Sequence, residues 1–366
     1  MKVYIDKKNK FIEKFDAHSG FYIRSGIIEN GEDTGIDPFM RNFPQLIDVG
    51  IMGKCTHGLE GLCGKAGVQC YQNGEHIVKR NMPVEDFTLI ASQCAGKVFQ
   101  FALGGRGDPD QHEHFEEILR ISRDSGIVPN LTTSGLRMTP KIAMLCKRYA
   151  GAVAVSWYRS MHTLEAIAML LKAGIKTNIH YVLGKNTVDE AIERLQNRSF
   201  PSGINAVIFL LHKPVGLGEE ANVVRYNDIK TKEFFKVIDE LELPYKIGFD
   251  SCTVPGLVTM SSNIDFTSTD YCEGARHSCY IDAQLNMMPC SFAMSAQTDI
   301  SHHWSVNLRN YSIVEIWESE PFERFRNHLR NSCPDCPDRL FCGGGCPIVN
   351  QITLCDRKER YYEDQN

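Results

Sequence analysis

From residue 46 onward, short apolar runs alternate with stretches whose apolar positions recur at helical spacing. The runs are LIDVGIM at 46–52, VFQFAL at 98–103, VPNLTT at 128–133, AVAVS at 152–156, KTNIHYVL at 176–183 and AVIFLL at 206–211. After the second, HEHFEEILRISRDSG places Phe115, Ile118, Leu119 and Ile121 close to one helical face and ends at Gly126; after the fourth, MHTLEAIAMLLKAG does the same and stops at Gly174. This alternation predicts repeated βα units around a mostly parallel sheet, six of them by count. A seventh apolar segment, LPYKIGFD at 243–250, is expected to close or extend the sheet. Residues 1–45 carry turn signals at Asn30-Gly31 and Asp37-Pro38 and no long periodic helix, so a strand or two covering a barrel edge is expected there.

Composition narrows the class. At 366 residues and 43% hydrophobic content, the chain suits one large domain, alone or with a small appendage. No apolar run approaches the roughly 20 residues that span a bilayer, and the start, MKVYIDKKNK, lacks the apolar core of a signal peptide, which implies a cytoplasmic protein. With 40 basic and 45 acidic residues and a net charge of -5, neither a nucleic-acid coat nor a membrane-surface binder is indicated. The outlier is cysteine, with fourteen residues. Without a secretory signal, metal binding is a better reading than disulfides. Twelve of the fourteen fall at 55–70, 252–290 and 333–355, while Cys94 and Cys146 stand apart and are read as small buried hydrophobes.

The first group lies in KCTHGLEGLCGKAGVQCYQNG, residues 54–74, directly after the first strand. A structural zinc site wants four ligands, usually in paired short spacings. Cys55, Cys63 and Cys70 with no local fourth leave a coordination position open to a substrate or cofactor. Working residues of βα barrels sit at the C-terminal ends of strands, where this loop falls. Beside it, after the second strand, comes GGRGDPDQ at 104–111, whose glycines let backbone groups approach a ligand.

On these residues the chain resembles the radical S-adenosylmethionine (radical SAM) superfamily, whose barrel carries a three-cysteine cluster loop after its first strand. Members usually have Cys-x3-Cys-x2-Cys with a nearby aromatic residue; this chain has an expanded Cys-x7-Cys-x6-Cys followed by Tyr71. The family's Gly-Gly-Glu reads Gly104-Gly105-Arg106 here, and Asp108 is the carboxylate that would replace the missing one at the methionine ammonium. LTTSG, with Thr133, is similar to the third-strand segment, and AVSWYR, with Ser156, to the fourth. Asn178 and His180 share one face of the fifth strand by period-two alternation and are further candidates for the cofactor.

The spacing Cys333-x2-Cys336-x5-Cys342-x3-Cys346 followed by Cys355 is similar to the SPASM auxiliary-cluster domain of radical SAM enzymes. Cys272 and Cys290 fit that domain's preceding pair, and SIVEIWESEPFERFRNHL looks like its linking helix. Leu285 stands where the family has a hairpin glycine, so Asn286 is expected to build the turn. The resemblance implies that Cys333, Cys336, Cys342 and Cys355 hold one auxiliary cluster, and Cys272, Cys290 and Cys346 the other. Its fourth ligand is Cys279, Cys252 or exogenous; Cys279 is favoured, because a local loop closes at small entropic cost. A zinc ribbon is the competing explanation of Cys333 to Cys346 taken alone.

The implied fold is α/β: a partial (βα)6 TIM-like barrel at 46–250, an N-terminal extension at 1–45, and a C-terminal iron-sulfur SPASM extension at 251–366. The implied cofactors are S-adenosylmethionine and three 4Fe-4S clusters, one binding S-adenosylmethionine and two auxiliary. The implied activity is hydrogen abstraction from a peptide or protein, with auxiliary clusters accepting an electron in an oxidation or crosslink. An external reductant such as flavodoxin or ferredoxin would feed the first cluster. Epimerisation would instead need a hydrogen donor, for which Cys252 is the candidate thiol, and Asp250 and Asp282 are acids available to accept a proton. Ser291 after Cys290, where sulfatase-maturing members carry aspartate, counts against that activity. Residues 1–45 are too few for a winged-helix precursor-binding domain, which leaves a separate binding protein, the barrel surface, or a substrate that is not a ribosomal peptide. The alternatives are a radical SAM enzyme acting on a small metabolite and a non-catalytic iron-sulfur or zinc relay. In the expanded loop, His57, Glu60 and Lys65 are placed to touch cofactor or substrate.

Overall fold

The computed structural model describes residues 1–263, 265, 268–296 and 303–356. Strands β1 (Lys2–Asp6), β2 (Phe11–Phe15) and β3 (Tyr22–Arg24) form an antiparallel sheet in that order, followed by a short hairpin of β4 (Ile28–Glu29) and β5 (Glu32–Asp33) turning at the expected Asn30-Gly31. The sheet does not cover a barrel edge. Alternation along β2 sends Phe11, Glu13 and Phe15 inward, and Phe15 stacks on Phe99 at 5.2 Å, beneath the N-terminal ends of the barrel strands. Glu13 and Arg41 form a fully buried ion pair at 2.8 Å, and the Arg41 guanidinium lies 3.5 Å from the centre of the Tyr4 ring. The extension is a plug under the barrel.

The apolar runs become β6 (Leu46–Val49), β7 (Gln100–Leu103), β8 (Val128–Thr133), β9 (Val153–Ser156), β10 (Thr177–Leu183), β11 (Ala206–Leu211) and β12 (Lys246–Phe249), which pair in parallel in chain order. β12 is the seventh apolar segment. Helices between them bury one face: Phe115, Ile118 and Leu119 are buried in the helix over 115–124, and the helix over 161–173 starts on the Ser160 hydroxyl and stops at Gly174, whose φ is 73°. Cys94 and Cys146 are fully buried in the core, as read from their neighbours.

Beyond the barrel, β13 (Ser278–Ile281) pairs in parallel with β6, setting Tyr280 opposite Asp48, and β14 (Asn286–Met288) and β15 (Val306–Asn307) follow antiparallel. Among the described residues the sheet therefore has ten strands, with the C-terminal hairpin on its β6 edge. Leu285 itself enters the left-handed region at φ 67°, so the turn expected at Asn286 is made one residue earlier. Asp282 clamps it: its Oδ1 accepts the Gln284 and Asn286 amides at 2.9 Å, and its Oδ2 the Asn286 side chain at 2.9 Å. The strain of a branched residue at positive φ is thus held by a carboxylate bonded locally, which also gives Asp282 a structural part. Trp317, buried on a short helix over 313–317, donates to the Arg41 carbonyl at 3.0 Å and fixes the C-terminal region to the foot of the barrel. Among the described residues no helix is long and apolar enough to cross a membrane.

Candidate active site at the barrel mouth

Cys55, Cys63 and Cys70 line one cavity of about 370 Å³ at the C-terminal ends of the barrel strands. Two one-turn helices, 56–59 and 62–65, fold the expanded loop so that its thiols turn inward. The Gly58 amide donates to the Cys55 sulfur at 3.2 Å and the Gly74 amide to the Cys70 sulfur at 3.4 Å. Gly74 lies so close that a Cβ there would sit 3.2 Å from the Cys55 Cβ and 3.4 Å from the Cys70 Sγ. Burial pushes Cys55 up to about 11 and Cys63 up to about 12, and the Cys70 sulfur opposes ionisation at both. Burial therefore keeps Cys55 and Cys63 protonated in the empty site and disfavours bare thiolates, whereas a cationic cluster core would compensate the thiolate charge, with amides supporting the Cys55 and Cys70 sulfurs. Among the described residues no three His, Cys, Asp or Glu side chains sit close enough to share a single metal ion.

The extra loop length is spent on a roof. Arg159, after β9, donates to the Ala66 carbonyl at 2.5 Å; Asn186, after β10, to Gly67 at 2.7 Å; and the Leu217 amide, after β11, to Cys70 at 2.9 Å. The loop thus crosses the barrel mouth from β6 to the far strands. Of the three loop residues singled out in the sequence, only His57 lines the cavity. Its ring packs tilted against Tyr158 at 4.2 Å, with Nδ1 3.2 Å from the Cys63 sulfur and Nε2 3.3 Å from His162. Glu60 instead faces Arg137 at 3.6 Å on the exposed side, and Lys65 is exposed.

Tyr71, Gly104, Gly105, Arg106, Asp108, Thr133, Ser156 and His180 all line the same cavity. Arg106 turns to the loop: its Nε and Nη2 both donate to the Gln72 carbonyl at 3.3 Å, so the residue in the family's carboxylate position anchors the roof. Asp108 is buried, with Oδ1 accepting the Ser134 amide at 2.6 Å and Oδ2 the Ser134 hydroxyl at 2.5 Å and Gln111 at 3.0 Å. Burial raises its pKa and these three bonds lower it. His180 is held neutral by burial, its pKa pushed down to about 4, and lies 3.4 Å from the Thr132 hydroxyl. Asn178 is a correction. It shares the face of His180 but lies one pleat nearer the N-terminal end, where it accepts from Asn205 at 2.8 Å and lines a separate cavity of about 330 Å³ above the plug.

The remaining cysteines gather in two groups. The Cys252 thiol rises well above its ordinary range, chiefly through a hydrogen bond with Cys346 and then through burial. Cys272, raised by burial, feels Cys252 and Cys290, so Cys252, Cys272, Cys290 and Cys346 form one neighbourhood. Cys342, pushed up to about 11 by burial, feels Cys336, Cys355 and Cys333, which form the other. Cys279 joins neither. Strand alternation turns Tyr280 into the lumen and Cys279 to the opposite face, 1% exposed in the apolar core, where Cys94 and Asp48 rather than the other cluster-group cysteines act on it. The thiol that neighbours Cys272, Cys290 and Cys346 is Cys252, at the end of β12, and not Cys279.

Sequence reasoning missed Asp48, Tyr158, Lys213, Tyr280 and Phe292, all of which line the cavity. Period-two reading of LIDVGIM would have turned Asp48 away from Ile47 and Val49. The position of Tyr280 depends on β13 joining β6, for which the chain carries no local signal. Asp250 lines the cavity as expected and is ion-paired with Lys213.

The barrel carries three thiols at its mouth, with two further thiol groups beyond it, one joining Cys252 to Cys272, Cys290 and Cys346 and one within 333–355. Residues 272–337 match the SPASM family, an iron-sulfur cluster-binding domain. The fold matches Streptococcus suis SuiB bound to S-adenosylmethionine, at 14% identity and a TM-score of 0.64, over 87% of this chain and 78% of that one. It also matches SuiB bound to the precursor peptide SuiA, at 14% identity and a TM-score of 0.61, over 87% and 77%. A third match, anSMEcpe with bound S-adenosylmethionine, has 14% identity and a TM-score of 0.59 over 87% of this chain and 92% of that one. No curated protein matches in sequence. The resemblance read from the cysteine spacings thus holds for the fold and the C-terminal domain.

Proposed function

We propose that the chain is a radical SAM enzyme that abstracts hydrogen from a peptide or protein substrate and oxidises or crosslinks it, with two auxiliary clusters receiving the electron. The observation that carries this reading is the sorting of eleven cysteines into three neighbourhoods, the first opening onto a cavity lined by the glycine loop and strand ends of the barrel. Cys55, Cys63 and Cys70 would hold the first cluster; Cys252, Cys272, Cys290 and Cys346 the second; Cys333, Cys336, Cys342 and Cys355 the third. When bound and reduced, the first cluster supplies an electron that cleaves S-adenosylmethionine to methionine and a 5′-deoxyadenosyl radical, which falls within the range of low-potential clusters.

The residues here bind, orient and exclude water. Asp108 would receive the methionine ammonium in place of the family's glutamate, since its carboxylate is buried at the cavity and acts electrostatically on Cys55. The Cys252 thiol is hydrogen-bonded to Cys346, and as a ligand of that group it would be unavailable as a hydrogen donor, which favours oxidation over epimerisation. A peptide substrate is supported by the structural neighbours that were crystallised with peptides, SuiB with SuiA and anSMEcpe with Cp18Cys. Flavodoxin or ferredoxin would supply the electron.

Anaerobic reconstitution tests the reading. About twelve iron per chain and reductant-dependent 5′-deoxyadenosine are expected, with the nucleoside lost when Cys55, Cys63 or Cys70 becomes alanine. Zinc incorporation without S-adenosylmethionine cleavage refutes it. Asp108→Asn should weaken S-adenosylmethionine binding at unchanged iron content, whereas an unchanged affinity would confine Asp108 to its contacts with Ser134.

A further inference from the structure

Two side chains of the lumen are buried without the partner their chemistry calls for. Arg106 is 5% exposed and lines the barrel cavity. Its Nε and Nη2 both donate to the Gln72 carbonyl at 3.3 Å, a neutral acceptor, and no carboxylate among the described residues forms an ion pair with it. An arginine guanidinium is always charged in proteins, and a buried charge is costly unless an opposite one offsets it. Lys213, which lines the same cavity, has such a partner in Asp250. Tyr280 is 2% exposed, also lines the cavity, and its hydroxyl makes no hydrogen bond among the described residues. A buried phenol ordinarily finds one. Two glycines make room for it: a Cβ added at Gly105 would fall 2.6 Å from the hydroxyl oxygen, and one at Gly50 closer still. Gly105 immediately precedes Arg106, so β13 delivers the phenol to the stretch of backbone that carries the guanidinium.

We propose that Arg106 and Tyr280 form a carboxylate subsite, and that its occupant is the carboxylate at the methionine end of S-adenosylmethionine. This rests on the reading that the first site binds S-adenosylmethionine beside the glycine loop. The guanidinium can only donate and brings a full positive charge, and the phenol adds an O–H, so the pair selects an anion; a carboxylate, with two acceptor oxygens, matches both donors. The amino acid end of the cofactor carries one carboxylate and one ammonium. Asp108, two residues beyond Arg106, is the acid proposed for the ammonium, so the loop over 104–108 would read both charges. A glutamate at position 106 would repel this carboxylate, which gives the arginine there a part toward the ligand besides its hold on Gln72. The phenol arrives on β13, which joins the barrel through its pairing with β6. The cofactor pocket is therefore incomplete without the C-terminal hairpin.

The test is equilibrium dialysis of the reconstituted full chain, without reductant, against S-adenosylmethionine and against its decarboxylated form, which keeps the ammonium and the sulfonium and lacks only the carboxylate. Arg106→Gln removes the charge and keeps an amide that can donate to the Gln72 carbonyl; Tyr280→Phe removes only the hydroxyl. Each variant should bind S-adenosylmethionine about tenfold or more weakly and the decarboxylated form as the parent does, with iron per chain unchanged. If Arg106→Gln fails to retain iron, Tyr280→Phe decides. Equal losses for the two ligands would mark a merely structural role and overturn the proposal. Undiminished affinity for S-adenosylmethionine in either variant that retains its iron also overturns it, and would leave the subsite to a carboxylate of the substrate. An iron-loaded parent that binds neither ligand overturns the proposal together with the reading beneath it.

Discussion

Gly107 and Gly96 offer a matched pair of substitutions that isolates the contact between the two loops of the candidate site. Both have φ +75°, where an L-residue costs about 1–2 kcal/mol. At Gly96 an added Cβ meets nothing within 4 Å. At Gly107 it would fall 2.3 Å from the carbonyl oxygen of Lys54 and 3.1 Å from the Met52 Cβ. Carbon and carbonyl oxygen approach to about 3.3 Å at closest, so the Lys54 peptide must retreat by about 1 Å, and Lys54 immediately precedes Cys55. Overpacking of this kind costs about 1–3 kcal/mol. Gly96→Ala should therefore lose about 1–2 kcal/mol and retain all its iron. Gly107→Ala should lose about 2–5 kcal/mol and bind less iron at the first site, because the displaced peptide carries a ligand with it. Urea unfolding, with unchanged m-values confirming that only the midpoint moves, gives the energies; iron per chain after reconstitution gives the second readout. Equal midpoints for the two variants would refute the argument that the glycine loop and the cluster loop are in load-transmitting contact.

Cys252→Ser should remove iron from one auxiliary group with the helical circular dichroism intact, whereas Cys279→Ser should keep all iron and lose about 1–3 kcal/mol in urea by leaving a hydroxyl unpaired in the core; iron loss from the second variant would contradict the assignment. Glu13→Ala leaves Arg41 buried without its counter-ion and should cost about 3–5 kcal/mol, with replacement of both by methionine costing much less, as read from thermal and urea midpoints. Burial, reinforced by the negative charge of Glu273, lifts the Asp48 carboxyl from 3.8 to about 7. Its folded pKa lies above the unfolded one, so its contribution is full below about 4 and is lost as pH rises through about 7. Relative to the parent, Asp48→Asn should gain about 2–3 kcal/mol between pH 5 and pH 8, and urea midpoints that shift in parallel across that range would exclude a raised Asp48.

Most of the barrel was legible because each strand is a contiguous apolar run: VFQFAL contains β7 and AVIFLL coincides with β11. What failed depended on partners distant in sequence. Cys279 is near Cys272 along the chain, and the short-loop argument favoured it, but pairing of β13 with β6 fixes which face it takes. Asn178 was assigned the correct face and the wrong depth; one pleat is about 6.6 Å along a strand, which separates the cavity from the chamber above the plug. Lys213 sits in an unpatterned loop, and only the return of the chain at Asp250 gives it a meaning. Leu285 shows the converse: the backbone keeps its turn with a residue that local preference disfavours, because Asp282 pays the strain.

The roof over the barrel mouth has a bearing on how the protein can be manufactured. With Ala66, Gly67 and Cys70 latched to the loops after β9, β10 and β11, Cys63 lies beneath a closed arch at 4% exposure. On the proposed reading, iron and sulfide would reach the Cys63 sulfur most readily before the latches form or while they are released. Loading and the final folding step are then one event, and a chain purified empty and fully folded is the poorer starting material: reconstitution under mild denaturant, or with Arg159 and Asn186 replaced by alanine, should fill the first site faster than reconstitution of the latched chain.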